Sequence, residues 1–218
     1  MASTATNLKR TTLSARAAGL LMRQGALVAL VALVLFGALR YQGFLSSFNV
    51  TSLLSYNAMF GLVALGMVFV IITGGIDLSV GSVAAFASVI AALVSPHGLL
   101  IGVLVPVLAA TFLGLLNGLA IARFGVPFFI ATLAMLLGGR GLALIFANNR
   151  TVPVSYEGGF TAIGQSSLYG VPVPVVILVG AYLIGALVLG HTRFGRHVLA
   201  IGGNEEAARL MGLPVDQI

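Results

Sequence analysis

The apolar residues of this chain come in long unbroken blocks, several of them close to the ~20 residues of helix that cross a hydrocarbon core about 30 Å thick. Only 7% of its 218 residues are charged and 59% are hydrophobic, whereas an ordinary soluble domain carries roughly 25% charged residues. A soluble fold of this length needs polar surface to wrap its core, and the sequence has too little of it. A membrane β-barrel would show segments of about ten residues with alternating polarity. These blocks are instead continuous and rich in Leu, Ala, Val and Gly, which predicts an all-α membrane protein. The 28 glycines suit close helix–helix approach in lipid.

Six blocks read as transmembrane spans, at about residues 20–39, 53–72, 80–94, 99–121, 128–147 and 173–189. They divide the chain into a polar tail (1–19), a transmembrane domain (20–190) and a soluble-looking C-terminal segment (191–218). The third block is short for a full span. Pro106 in the fourth predicts a kink, because proline removes a backbone donor. Segment 148–170, with Glu157, is polar. A basic start followed by an apolar run also describes a signal peptide; no convincing small-residue cleavage site follows and further spans do, so the first block reads as an uncleaved anchor. Six spans put both ends on one side. With the N-terminus inside, Lys9, Arg10, Arg16, Arg23, Arg123, Arg193, Arg196 and Arg209 lie inside and only Arg40 and Arg150 outside, which predicts cytoplasmic termini. Basic membrane edges also account for the net charge of +6 without a nucleic-acid partner. The absence of cysteine excludes disulfides and thiolate chemistry.

The most informative stretch is 74–82, Gly-Gly-Ile-Asp-Leu-Ser-Val-Gly-Ser. A carboxylate beside apolar spans is expensive at membrane depth. Paired glycines let the backbone leave the helix, and Asp77 or Ser79 can then cap the next one. The segment is either a capped turn at the cytoplasmic edge or a broken-helix element bordering a transport path, since irregular backbone in a membrane lines a cavity or is buried in protein. Asn57, Asn117 and Arg140 are the other polar residues inside apolar blocks. The two asparagines serve either interhelical hydrogen bonding or a transport path. Arg140, within Gly138-Gly139-Arg140-Gly141, must face protein or water, as a structural contact or as part of a pathway. In the C-terminal segment, Asn204 can cap a short helix over 204–211, with Glu205 and Glu206 in its positive first turn and Gly212 and Pro214 ending it. Such a helix either lies on the lipid surface or docks on a partner.

Two of these stretches together resemble the permease subunits of the ribose, xylose, arabinose and galactofuranose group of bacterial ABC importers. Members show a Gly-Gly-Ile-Asp-Leu-Ser-Val-Gly-Ser segment after the second span, as at 74–82 here. They also show a Phe-Gly-Arg…Ala-Ile-Gly-Gly-Asn…Ala-Ala…Gly segment after the sixth, as at 194–213. Asn117-Gly118, residues 127–133 and Arg140-Gly141 are weaker matches. The resemblance covers about residue 48 to the end. It implies a multi-pass protein of the bacterial inner membrane that moves a monosaccharide from a periplasmic binding protein to the cytoplasm. The permease chain would pair with a second copy or a related chain and bind cytoplasmic ATPase subunits. Gly202, Gly203, Asn204, Glu205, Ala207 and Ala208 match the cytoplasmic coupling segment that inserts into a groove on the ATPase. Members have about ten spans, so this sequence corresponds to the first part of such a permease and lacks the second half of the fold.

The resemblance implies a transport subunit, not an enzyme, with no cofactor bound by this chain and ATP held by the partner. The residues agree: a phosphate-binding P-loop needs Gly-x-x-x-x-Gly-Lys-Ser/Thr, and the only lysine is Lys9. An intramembrane enzyme would need a metal cluster or a nucleophile–base pair. His97 is expected outside and His191 and His197 inside, so they cannot share a site. An ion-coupled transporter would need several intramembrane carboxylates or broken helices in both halves, and Asp77 stands alone.

Overall fold

The computed structural model describes residues 24–215; the tail 1–19 with Lys9, Arg10 and Arg16, the start of the first block with Arg23, and the last three residues lie outside them. Two compact units divide after Ser52. In the first, α1 (Gly25–Arg40) is apolar along its length. The Phe44 ring covers Gly37, 2.6 Å from where a Cβ would stand, and the Phe36 and Tyr41 rings meet edge to face. Helix α2 (Ser47–Ile72) begins here and runs on into the second unit.

The second unit continues with α3 (Val80–Val94), a 3-10 turn (Ser95–His97), α4 (Leu99–Phe124) and α5 (Phe128–Phe146). After a 3-10 turn (Glu157–Gly159), the short α6 (Ala162–Gln165) and a two-stranded hairpin, β1 (Ser167–Leu168) with β2 (Val171–Pro172), comes α7 (Val173–His191). Helices α8 (Arg193–Gly203) and α9 (Glu205–Leu210) are the last among the described residues. Among the described residues five helical segments are long and apolar enough to cross a membrane, and α1, at 16 residues, is a shorter apolar helix. The third block reaches span length only because the 3-10 turn extends it to His97. Helix α4 runs unbroken through Pro106. A proline ring presses on the carbonyl four residues earlier, and that residue is Gly102.

The core lies among α3, α4 and α5, where Phe86, Ile90, Leu113 and Ala143 are buried together. Phe86 meets Phe146 edge to face at 5.6 Å. At the α3–α5 crossing Gly139 leaves room for Ser82, whose Oγ donates to the Ser79 and Met135 carbonyls. Helices α2 and α7 exchange knobs. A Cβ at Gly61 would stand 2.7 Å from Leu178, and one at Gly185 would stand 2.8 Å from Leu65. The Tyr182 hydroxyl donates to the Gly61 carbonyl across the same seam. Small residues facing large ones are how helices approach closely where lipid gives no hydrophobic drive.

The polar stretch 147–172 folds over one end of α3. Ser95 Oγ donates to the Ala92 carbonyl and accepts from the Ser155 N–H at 2.8 Å, and the Gly98 and Gly158 backbones touch. The hairpin turns at Tyr169 and Gly170, both at positive φ, the two-residue geometry that matches strand twist.

Candidate functional site

At the opposite end of α3 the chain leaves helical geometry from Thr73 to Ser79. Gly74 takes a φ of +82°, open to glycine at no steric cost. Asp77 then folds back on its own chain: its Oδ1 accepts from the Ser79 N–H and from the Ser79 hydroxyl, both at 2.7 Å. The carboxylate therefore organises the turn. Ser79 stands at the N-cap position of α3, but its side chain makes no capping bond. Its Oγ instead accepts from Asn117 Nδ2 of α4 at 3.0 Å. Ser79 is 1% exposed and Asn117 is buried. Thr132 of α5 completes the arrangement, donating to the Ile76 carbonyl of the broken segment.

Three sequence candidates, Asp77, Ser79 and Asn117, thus form one chain of hydrogen bonds joining the turn to α4. The other two do not join it. Asn57 is exposed and returns its amide to the Leu53 carbonyl of its own helix. Arg140 is exposed and makes no ion pair or hydrogen bond among the described residues.

A cavity of about 240 Å³ opens beside the turn, lined by Asp77, Asn117, Thr73 and Thr132 together with Phe69, Phe128 and residues of α8. Thr73 and Thr132 escaped sequence reasoning, since threonine at the end of or within an apolar helix commonly does no more than bond a nearby helix carbonyl; here the Thr73 hydroxyl bonds the Val70 carbonyl of the preceding helix and the Thr132 hydroxyl also bonds the Phe128 carbonyl of its own. Helix α8 was missed as well. Its Phe194 ring lies 6.2 Å from Phe69, its Val198 is buried against the cavity, and Gly202 rests on the Ile72 carbonyl at the end of α2.

The following α9 is capped as the sequence predicts, Asn204 Oδ1 accepting from the Ala207 N–H at 2.9 Å. Glu205 and Arg209 pair at 3.3 Å, and Gly212 ends the segment at positive φ. Within the expected coupling set the exposures differ. Gly202, Gly203, Asn204 and Glu205 are exposed, Ala207 is half-buried, and Ala208 is 0% exposed, packed inside the chain. The apolar residues offered outward here are Leu210 at the end of α9 and Met211 just past it, 83% and 72% exposed.

The broken segment is thus tied to its neighbours by a buried polar chain, with an amphipathic helix laid against it. The chain belongs to the family described as branched-chain amino acid transport system / permease component, whose model matches residues 49–218. It is a multi-pass membrane protein. It is 39% identical over 195 residues to the L-arabinose ABC transporter permease protein AraH of Azospirillum brasilense, covering 88% of this chain and 57% of that one. It is 37% identical over 209 residues to the ribose import permease protein RbsC of Bacillus subtilis, covering 92% and 63%. With RbsC of Escherichia coli it is 37% identical over 207 residues, covering 91% and 63%. The chain therefore spans about three-fifths of the length of these relatives. No solved structure matches it.

Proposed function

We propose that this chain is the membrane-spanning subunit of an ATP-driven monosaccharide importer. It would receive sugar from a periplasmic binding protein and release it to the cytoplasm, with ATP hydrolysed on a separate chain and a second permease chain completing the pathway. The observation that carries this reading is the seating of α8 on the broken end of α2, with α9 and its exposed Leu210 and Met211 projecting beyond it. Force applied to α9 by a closing ATPase would reach the polar turn through packed atoms. The relatives named for arabinose and ribose support sugar as cargo. The family description names branched-chain amino acids, which makes leucine the competing cargo. Both termini are cytoplasmic in this reading, as the distribution of basic residues favours.

The test is copurification of the tagged chain with its ATPase and binding protein, followed by uptake of D-ribose, L-arabinose and L-leucine. ATP-dependent uptake of a pentose is expected. Uptake of leucine alone, or ion-driven uptake without an ATPase, would replace the reading.

A further inference from the structure

We propose that the cavity beside the Asp77 turn is a monosaccharide-binding subsite of the permease, with Asp77 and Asn117 as its hydroxyl acceptors and Phe69 and Phe194 as its apolar wall. The proposal rests on the sugar-importer reading and names the residues that would hold the cargo.

Only one oxygen of Asp77 is committed to the turn. The second carries no hydrogen bond among the described residues, and the side chain is half-buried at the cavity wall. The Asn117 amide nitrogen is likewise committed, to Ser79, while its oxygen is not. No buried side-chain polar atom is left unsatisfied among the described residues, so the oxygen of this buried asparagine reaches the open space of the cavity or of the neighbouring α4–α5 groove, both of which Asn117 lines. Two fixed acceptors beside aromatic rings suit a ligand with adjacent hydroxyl donors around its rim and C–H groups on its faces. That is the chemistry of a sugar. Hydrogen bonds accepted by the Asp77 carboxyl group would be the strong ones. The volume, about 240 Å³, lies a little below the ~300–1,000 Å³ typical of drug-sized ligand sites, in keeping with a five-carbon sugar. An amino acid zwitterion fits less well, because its carboxylate would need a cation and no lining side chain carries a positive charge. Phe194 and Val198 of α8 form one wall, so withdrawal of the tail would open the subsite.

The absence of native cysteine and two glycines make the test clean. Gly118 lines this cavity and Gly138 lines the neighbouring groove between α4 and α5, which borders the other side of Asn117, so protection at Gly138→Cys would place the ligand in the groove instead; a Cβ at either glycine meets nothing within 4 Å. Gly118→Cys and Gly138→Cys chains in lipid nanodiscs are treated with a small methanethiosulfonate while D-ribose, L-arabinose or L-leucine is titrated in. A pentose should slow modification of Gly118→Cys by about threefold once it stands at about twice its Kd, since protection scales as 1 + [L]/Kd. It should leave Gly138→Cys unaffected, and leucine should protect neither. Adding Asp77→Asn should shift the protecting concentration upward by about tenfold, because a bond to a charged acceptor is roughly twice as strong as a neutral one. A Gly118→Cys thiol that does not react, that no pentose protects, or whose protection survives Asp77→Asn unchanged would overturn the subsite. The importer reading would then still stand or fall on uptake. Protection in a chain that supports no uptake would keep the subsite and remove the importer reading.

Discussion

Adjacent glycines in the tail face different surroundings, although sequence gives them one role. A methyl group at Gly202 would run into the Ile72 carbonyl, while one at Gly203 would meet nothing within 4 Å. Gly202→Ala is therefore predicted to loosen α8 from α2, at the ~1–3 kcal/mol typical of overpacking, and Gly203→Ala to leave the seating intact. Limited proteolysis after Arg196 and Arg209 reads the difference: faster cleavage of Gly203→Ala than of Gly202→Ala would contradict the geometry. Ser79 admits a similar contrast with Ser88. Ser79→Ala removes the hydroxyl that joins Asp77 to Asn117 and leaves the buried Asn117 amide unpaired, while Asp77 keeps the Ser79 backbone N–H, a loss of about 1–3 kcal/mol. Ser88, whose hydroxyl bonds only its own helix at an exposed site, should tolerate alanine. Thermal unfolding in detergent should show a lowered midpoint for the first variant alone.

At the level of elements, the apolar helices were legible because hydrocarbon thickness and block length are the same constraint expressed twice. The block 80–94 has the same ends as α3. Helix α2 starts six residues before its block and α7 ends two after, since helices run on past the last strictly apolar residue. Helix α8 was not legible: with Gly195, Gly202 and Gly203 and the basic Arg193 and Arg196, its stretch reads only as part of a soluble-looking segment. The usable signal was Phe194, Val198 and Ile201 at helical spacing. Of the polar candidates, Asp77, Ser79 and Asn117 came together and Asn57 and Arg140 did not, although all five looked alike as polar residues in or beside apolar blocks. What separated them was which helix face met a neighbour, information that sequence periodicity hardly carries in a helix apolar all round. The burial of Ala208 also redirects any test of docking. Bulk at Ala208 would break the tail's own packing, whereas Leu210→Ser and Met211→Ser change only exposed surface. The double variant is predicted to lose ATPase copurification by tenfold or so, the ~1.4 kcal/mol scale of a modest contact, with normal membrane insertion. Retention at the unaltered level would remove α9 as the docking element.

For the whole molecule, the proposed orientation puts the hairpin and the tail on opposite faces of the membrane. Single cysteines at Tyr169, 99% exposed at the hairpin turn, and at Glu206 on α9 decide it in intact cells with an impermeant thiol reagent. Labelling of Tyr169→Cys alone is expected, and labelling of Glu206→Cys would reverse the topology. The same hairpin bears on how the protein could be handled. The stretch 147–172 is held at Ser155 by a single hydroxyl, at Gly158 by backbone touching backbone and at Phe160 by its ring lying on Gly102, and beyond these points it ends in a two-residue turn. Added residues between 155 and 158 would pull the strap off Ser95. At 169–170 they would extend outward from a turn already free of packing, so an epitope or a fluorescent reporter spliced there should leave the protein beneath it undisturbed.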